Sequence, residues 1–190
     1  MSHQDSHPVT VTKQWIESFI IHYNICPFAK KEFVNDRIHY EVSPCQDTEK
    51  ALHCLQKEFE RLDQSPSIET SFIMFESGFQ TFSDYLDLID IAQMMLEQFG
   101  YEGIYQLATF HPDYIFAGEA ADDLANFTNR SPYPMLHLIR EDRLEKALKH
   151  YPNPEKIPER NIALLRGLSF DKLVKQSDVL FKNTTILPVK

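Results

Sequence analysis

The 190-residue chain carries a formal net charge of −9, and 43% of its residues are hydrophobic and 12% aromatic. This composition excludes a disordered chain and supplies the core of one domain, while the acidic charge disfavours nucleic acid as a general partner. The three cysteines form no Cys-x-x-Cys pair, which argues against a disulfide framework and a zinc knuckle.

We expect residues 1–8 to form a mobile tail and residues 9–190 to form a single globular domain. The N-terminus lacks the apolar centre of a secretion signal. No stretch reaches the ~20 apolar residues that a membrane span needs. A cytoplasmic protein without a membrane partner is therefore expected.

The first elements predicted along the chain are two helices and a strand. A helix with an apolar face begins at Thr10 or Thr12 as its N-cap. A second, short helix spans 27–34 and has Cys26 at its N-cap, because proline is favoured at the first helical position. Residues 37–43 alternate polar and apolar side chains, which indicates a strand.

Helices and strands alternate through the middle of the chain. The pattern predicts a helix over 47–62, a buried strand over 71–75, a helix over 81–99 and a strand over 104–110. Thr81 and Asp84 have the spacing of a capping box, and Gly100 ends the same helix.

The C-terminal elements complete the predicted fold. They are a strand over 135–140, a helix over 141–150 and a helix over 159–177 that is interrupted at Gly167. We predict a mixed α+β fold in which helices flank a small, partly parallel sheet of about four strands. Its third and fourth strands are joined by a long ordered loop, because aromatic residues anchor a segment too long for an ordinary connection.

Polar side chains are concentrated in this loop and in the strand that follows it. The loop contains His111, Asp113, Asp122, Asp123, Asn126, Asn129, Arg130 and Ser131. The fourth strand adds His137 and Arg140, and Glu141 follows.

The run FHPDYIFAGEAADDLANFTNRSPYPMLHLIRED, from Phe110 to Asp142, closely resembles the signature of a bacterial family, domain of unknown function 1415. Trp15 and the later Cys26-Pro27-Phe28-Ala29 also resemble its pattern. The resemblance spans nearly the whole chain. It implies no catalytic residue, so candidate chemistry must be argued from the side chains themselves.

His111 and His137 are the candidate acid–base residues, because histidine titrates near neutral pH. Asp113 could orient one of them. Either histidine could instead bind a metal with nearby carboxylates, although no compact metal-binding motif occurs and no metal is assigned. Hydrogen-bonded structural histidines are the remaining interpretation. The carboxylates in question are Asp113, Glu119, Asp122, Asp123 and Glu141.

Arg130 is the first candidate for binding an anion, because a guanidinium can clamp a carboxylate or phosphate with two hydrogen bonds. Alternatively, it pairs with Asp122 or Asp123 and fixes the loop. Arg140 on the fourth strand has the same two interpretations. The neighbouring polar residues could contact a ligand, cap a short helix or satisfy the loop backbone. These neighbours are Asp122, Asp123, Asn126, Asn129 and Ser131.

Cys26 is the candidate nucleophile, because a helix N-terminus favours the thiolate and a histidine from the loop could complete a Cys–His pair. The alternative is a small buried residue.

Two functions from different classes follow from these candidates. The first is a small enzyme acting on a polar or anionic small molecule through arginine, histidine and aspartate chemistry, with cysteine as a further candidate. The second is a non-catalytic module that binds a small molecule or a protein, with the loop aromatics and arginine as anchors. A hydrogen-bond network that only fixes the loop is a third interpretation. No cofactor is assigned.

Overall fold

A four-stranded mixed sheet forms the centre of the computed structural model, which describes residues 6–176. The strands are β1 (Ile38–Ser43), β2 (Thr70–Phe75), β3 (Tyr105–Phe110) and β4 (Met135–Arg140). Their spatial order is β1-β2-β4-β3. Strand β2 runs parallel to β1 and antiparallel to β4, and β4 runs antiparallel to β3. The predicted α+β fold and partly parallel sheet are confirmed.

Helices account for most of the remaining described chain. The α-helices are α1 (His7–Trp15), α2 (Ala29–Val34), α3 (Thr48–Gln64), α4 (Phe82–Gln98), α5 (Glu141–Lys149), α6 (Ile157–Arg166) and α7 (Phe170–Gln176). A π-helical segment, Ile16–Ile21, continues α1, and 3₁₀ turns occupy Leu124–Thr128 and Pro154–Lys156. None of the helices within residues 6–176 is long and apolar enough to cross a membrane.

Helices cover both faces of the sheet, which is why all six residues of β2 are buried. Side chains alternate between the faces along a strand. Ile73 and Phe75 therefore pack in the core formed with α3 and α4. Phe72 and Met74 pack in the other core, with α1, the π-helical segment and α6. The cavity described below lies on this second face.

Local sequence signals determine the ends of α4. Thr81 is its N-cap, and the Thr81 hydroxyl accepts a hydrogen bond from the Asp84 backbone N–H at 3.2 Å. Gly100 follows the helix with a φ of 74°, the left-handed conformation that glycine adopts without steric cost. Both predictions for this helix are confirmed.

The N-terminal helices differ from the predicted ones. Helix α1 begins at His7 with Ser6 as N-cap, so Thr10 and Thr12 lie inside it. Thr12 is fully buried and its hydroxyl contacts the Met74 sulfur, so tertiary packing has overridden its preference for a cap. Phe28, and not Cys26, is the N-cap of α2. The predicted tail over residues 1–8 is wrong for its last three residues, because Ser6 caps α1 and His7 and the buried Pro8 begin it. Residues 1–5 lie outside the described residues.

The connection between β3 and β4 is an ordered loop containing the 3₁₀ turn Leu124–Thr128, as its aromatic anchors predicted. At the C-terminal end, the predicted interruption at Gly167 separates α6 from α7. Ser177, the last residue of the predicted helix, lies outside the described residues.

Candidate functional site

A cavity of 340 Å³ lies between the sheet and the helices that cover its second face. Its volume is near the lower end of the range of small-molecule sites, about 300–1,000 Å³. The sheet contributes Thr70, Phe72, Ala108, Phe110, His137 and Ile139. The opposite walls contribute Trp15, Cys26, Phe28, Glu32, Arg143, Ala147 and Asn161, among others. Apolar and aromatic side chains thus surround a few polar groups.

His137 on β4 is held rigidly in this cavity. Its ring stacks on that of Phe72, with centroids 3.8 Å apart and an interplanar angle of 6°. Nε2 lies 2.5 Å from the Thr70 hydroxyl oxygen, and that hydroxyl donates its proton to the Leu138 carbonyl. Since a hydroxyl has one proton to give, Nε2 must carry the imidazole proton and donate it to Thr70. The other ring nitrogen, Nδ1, is therefore an acceptor, and the only hydrogen bond of the ring to a residue within 6–176 is the one made by Nε2.

Burial lowers the pKa of His137 to about 3. The cause is desolvation, because a charged imidazolium surrounded by protein loses its hydration. His137 is only partly shielded from solvent, since its ring borders the cavity. At neutral pH the imidazole is uncharged and presents a hydrogen-bond acceptor.

Cys26 lies in the same cavity as His137. Its side chain is exposed there, but the surrounding protein raises the pKa of the thiol by desolvation. Hydrogen bonds from the Phe28 and Ala29 backbone and the charge of Arg160 act in the opposite direction and only reduce that rise. The resting thiol is therefore protonated at neutral pH, in contrast to the thiolate expected of a helix N-cap.

Charged side chains border the cavity at Glu32, Glu69 and Arg143. Arg143 Nη1 lies 3.7 Å from Glu69 Oε1, and Arg143 Nε lies 3.6 Å from Asp142 Oδ2. Both distances exceed a hydrogen bond. The Arg143 guanidinium makes no hydrogen bond to any residue that the structure describes, and 48% of its side chain is exposed. It has donors available for an anion.

Two further cavity residues have buried polar atoms without partners in the described chain. Trp15 is 1% exposed, and its indole Nε1 has no hydrogen-bond acceptor. The Thr128 hydroxyl is likewise buried and unpartnered. Buried polar groups normally have a hydrogen-bond partner, so both atoms are available to one.

Asn129 and Arg140 also line the cavity, but their side chains have internal partners. The Asn129 amide donates to the Thr109 carbonyl at 3.0 Å. The Arg140 guanidinium donates to three backbone carbonyls. Its Cζ atom lies 5.7 Å from the centre of the Tyr105 ring, a cation–π contact. These contacts connect β4 to the end of α3 and leave Arg140 few free donors.

His111 does not line the cavity. It is fully buried, Nδ1 accepts a hydrogen bond from the Asp113 backbone N–H at 2.9 Å, and Nε2 donates to the Phe79 carbonyl at 3.0 Å. Burial lowers the pKa of His111. Both nitrogens are occupied by backbone groups, so the ring fixes the start of the loop. Asp113 contributes its backbone to this contact and does not line the cavity.

Arg130 is 1% exposed and lies beneath the same loop. It donates hydrogen bonds to the Tyr114 carbonyl at 3.3 Å and to the Ala121 carbonyl at 2.6 Å. Its Cζ atom lies 4.5 Å from the centre of the Phe127 ring, a cation–π contact. Desolvation lowers the pKa of Arg130. Among residues 6–176 neither Asp122 nor Asp123 forms an ion pair with Arg130, and Asp123 pairs with Arg166 instead. The charge of Asp113 acts on Arg130 and partly offsets the effect of desolvation.

The remaining loop candidates also have structural contacts. The Asn126 side chain accepts from the Phe116 N–H and donates to the Ala120 carbonyl, and Ser131 donates to the Tyr133 carbonyl. Asp123 is the N-cap of the 3₁₀ turn, where it accepts from the Ala125 N–H at 2.8 Å, and pairs with Arg166. Asp122 is exposed to solvent. None of these four residues lines the cavity.

The family model described as "Protein of unknown function (DUF1415)" matches residues 8–175. The chain belongs to the DUF1415 family. No curated protein and no solved structure matches it. The resemblance noted from the Phe110 to Asp142 run is thereby confirmed, and the match extends over nearly the whole described chain.

Several cavity residues of this DUF1415 protein were not among the sequence candidates. Arg143 lies in the first turn of α5, directly after β4, and its position beyond a strand end was the available signal. Trp15 was recognised only as part of an apolar helix face. Glu32 and Thr128 carry no local signal, because only the packing of distant segments brings them to the cavity.

Proposed function

We propose that this DUF1415 protein is a small enzyme acting on a polar or anionic small molecule that binds in the cavity on the second face of the sheet. The observation that carries the proposal is His137. Its tautomer is set by Thr70, and its Nδ1 is left unpartnered in a cavity of ligand size. Such orientation by a second residue is typical of histidines that act on ligands.

Arg143 is proposed as the contact for the anionic group. Its guanidinium is charged, borders the cavity and is free of hydrogen bonds within the described chain. Arg130 and Arg140 are less suitable, because backbone carbonyls already accept their hydrogen bonds. Arg143 thus takes the role that the sequence suggested for those two residues.

A bound anion would also change the chemistry of His137. Negative charge within about 4–6 Å stabilises an imidazolium and raises its pKa. The ligand would therefore move His137 from its resting pKa of about 3 towards the neutral range in which it can exchange protons. Cys26, in the same cavity, is available as a second reacting group.

Non-catalytic binding of a small molecule is the second candidate function. It is favoured by one observation, that neither the resting His137 imidazole nor the resting Cys26 thiol exchanges protons readily at neutral pH. A neutral imidazole would then serve only as a hydrogen-bond acceptor in a mainly apolar site.

The test is a thermal-shift screen of the purified protein against a panel of aliphatic, aromatic and phosphorylated carboxylates. We expect at least one compound class to stabilise the wild type, and Arg143→Met to weaken binding about tenfold or more. Lys146→Met is the matched control, because Lys146 is an exposed cation on the same helix and does not line the cavity. Ala147→Phe should block binding by filling the cavity.

Incubating each bound compound with the protein then separates the two functions. Mass spectrometry of the mixture should detect a product with the wild type and none with His137→Gln, while binding to His137→Gln persists. Binding without product in either protein would support the non-catalytic module. Ligands that bind equally to Ala147→Phe and the wild type would refute the cavity as the site.

A further inference from the structure

His39, Glu41 and Glu58 bring three potential metal-ligand atoms together on the other face of the sheet. His39 and Glu41 are two residues apart on β1, so their side chains share a face, and that face packs against α3, which carries Glu58. His39 Nε2 lies 3.6 Å from Glu41 Oε2 and 3.7 Å from Glu58 Oε2. All three ligand atoms lie within 4.8 Å of one another.

These separations suit a small divalent cation. Zinc binds histidine nitrogen and carboxylate oxygen at about 2.0–2.2 Å, so neighbouring ligands of a tetrahedral ion stand roughly 3.3–3.6 Å apart. The two measured distances from His39 Nε2 are within a few tenths of an ångström of that spacing.

The His39 ring nitrogen provides a second, independent observation. Nε2 is buried and has no hydrogen-bond partner among residues 6–176, although two carboxylate oxygens face it. Their distances are too long for hydrogen bonds. A cation placed between the ring nitrogen and the two carboxylates would be attracted by both negative charges.

Neighbouring side chains hold the Glu58 carboxylate in place, as residues behind a ligating carboxylate do in metal sites. Glu58 is 1% exposed; its Oε2 accepts a hydrogen bond from Ser71 at 2.6 Å, and its Oε1 accepts one from Arg61 at 2.8 Å. Hydrogen bonds of this kind orient a ligating carboxylate. Arg61 Nη2 also lies 3.7 Å from Glu41 Oε2, so one arginine is close to both carboxylates of the cluster.

We propose that His39, Glu41 and Glu58 bind one Zn²⁺ ion, with the imidazole nitrogen and one oxygen of each carboxylate as ligands. Three protein ligands leave the fourth tetrahedral position for water. The ion would join the edge strand β1 to α3, since its ligands come from both elements. The site lies on the opposite side of the sheet from the cavity and is independent of the function proposed for it.

Isothermal titration of the chelator-treated, untagged full chain with zinc chloride tests the proposal. We expect one ion per chain, and binding at least tenfold weaker for His39→Gln and for Glu41→Gln. His53→Gln is the matched control, because His53 is an exposed histidine on α3 outside the cluster. At a zinc concentration of about 100 times Kd, the melting temperature of the wild type should rise by about 5–10 °C.

A spectroscopic readout identifies the donor atoms. Cobalt bound in place of zinc should give the visible bands of a tetrahedral site without a thiolate charge-transfer band, and Cys54→Ser should leave those bands unchanged. Cys54 is the relevant cysteine, because its thiol interacts electrostatically with Glu41 and Glu58. Absence of zinc binding, retention of it in His39→Gln, or its loss in Cys54→Ser would each overturn the assignment.

Discussion

Replacing His137 with glutamine should reduce the loss of stability that the protein suffers on acidification. Burial lowers the pKa of His137 from 6.5 to about 3 in the folded state. Between these two values the unfolded chain binds a proton that the folded chain does not. The free energy of unfolding therefore falls as the pH drops below about 6.5. Above that pH neither state binds the proton, and His137 does not make stability depend on pH.

The magnitude follows from the width of that interval. One pKa unit corresponds to about 1.4 kcal/mol, and pH 5 lies about 1.5 units below the unfolded pKa of histidine. The protonation of unfolded His137 should therefore remove about 2 kcal/mol of unfolding free energy between pH 7 and pH 5. Glutamine does not titrate, so His137→Gln should lose about 2 kcal/mol less than the wild type over the same interval. His111, whose pKa is also lowered by burial, contributes to both proteins and cancels.

Urea unfolding at pH 7 and pH 5 measures this difference directly. Each protein is compared with itself at the two pH values, so any change in the stability of His137→Gln at pH 7 does not affect the result. The exposed His53, changed to glutamine, controls for the removal of one histidine. Equal losses of stability in His137→Gln and the wild type would show that the folded imidazole titrates normally and that it is not desolvated.

Two further predictions concern a structural tyrosine and the cavity cysteine. Tyr85 is fully buried, and its hydroxyl donates to the Met135 carbonyl at 2.5 Å and accepts from the Phe110 N–H at 3.0 Å. Tyr85→Phe removes both hydrogen bonds from a buried site and should cost about 1–3 kcal/mol in urea unfolding; a cost under about 0.5 kcal/mol would contradict this. The raised pKa of Cys26 predicts alkylation by iodoacetamide that is slower at pH 7.5 than that of a free cysteine and accelerates as the pH rises. Faster alkylation than free cysteine would show an activated thiolate.

The sequence located the loop correctly but not the chemistry around it. Long polar side chains in a connection between strands suggested a ligand site, and Arg130 and Asn126 indeed lie there fully buried. Their hydrogen bonds go to the backbone of the loop itself. A loop without regular structure needs hydrogen-bond partners for its backbone N–H and C=O groups. Polar side chains that provide those partners cannot be distinguished, in sequence, from polar side chains that bind a ligand.

His137 and Cys26 are the predicted reactive residues that the fold brings to one cavity. They are more than one hundred positions apart in the chain. The sequence indicated each residue separately as a candidate, His137 because it is a histidine in a strand and Cys26 because it precedes a proline. Their shared location depends on how the segment after α1 packs over β4, and no local pattern encodes that packing.

The amino-acid sequence by itself determined the alternation of helices and strands, the capping of α4 by Thr81 and the membership of the DUF1415 family. These properties depend on hydrophobic periodicity, on local hydrogen bonds and on a long signature. Tertiary structure alone decided the order of the strands, the partners of Arg130 and the exposure of Arg143 to a cavity. Those outcomes depend on contacts between residues far apart in the chain. Such contacts decide which polar groups form hydrogen bonds within the protein and which can still bind a ligand.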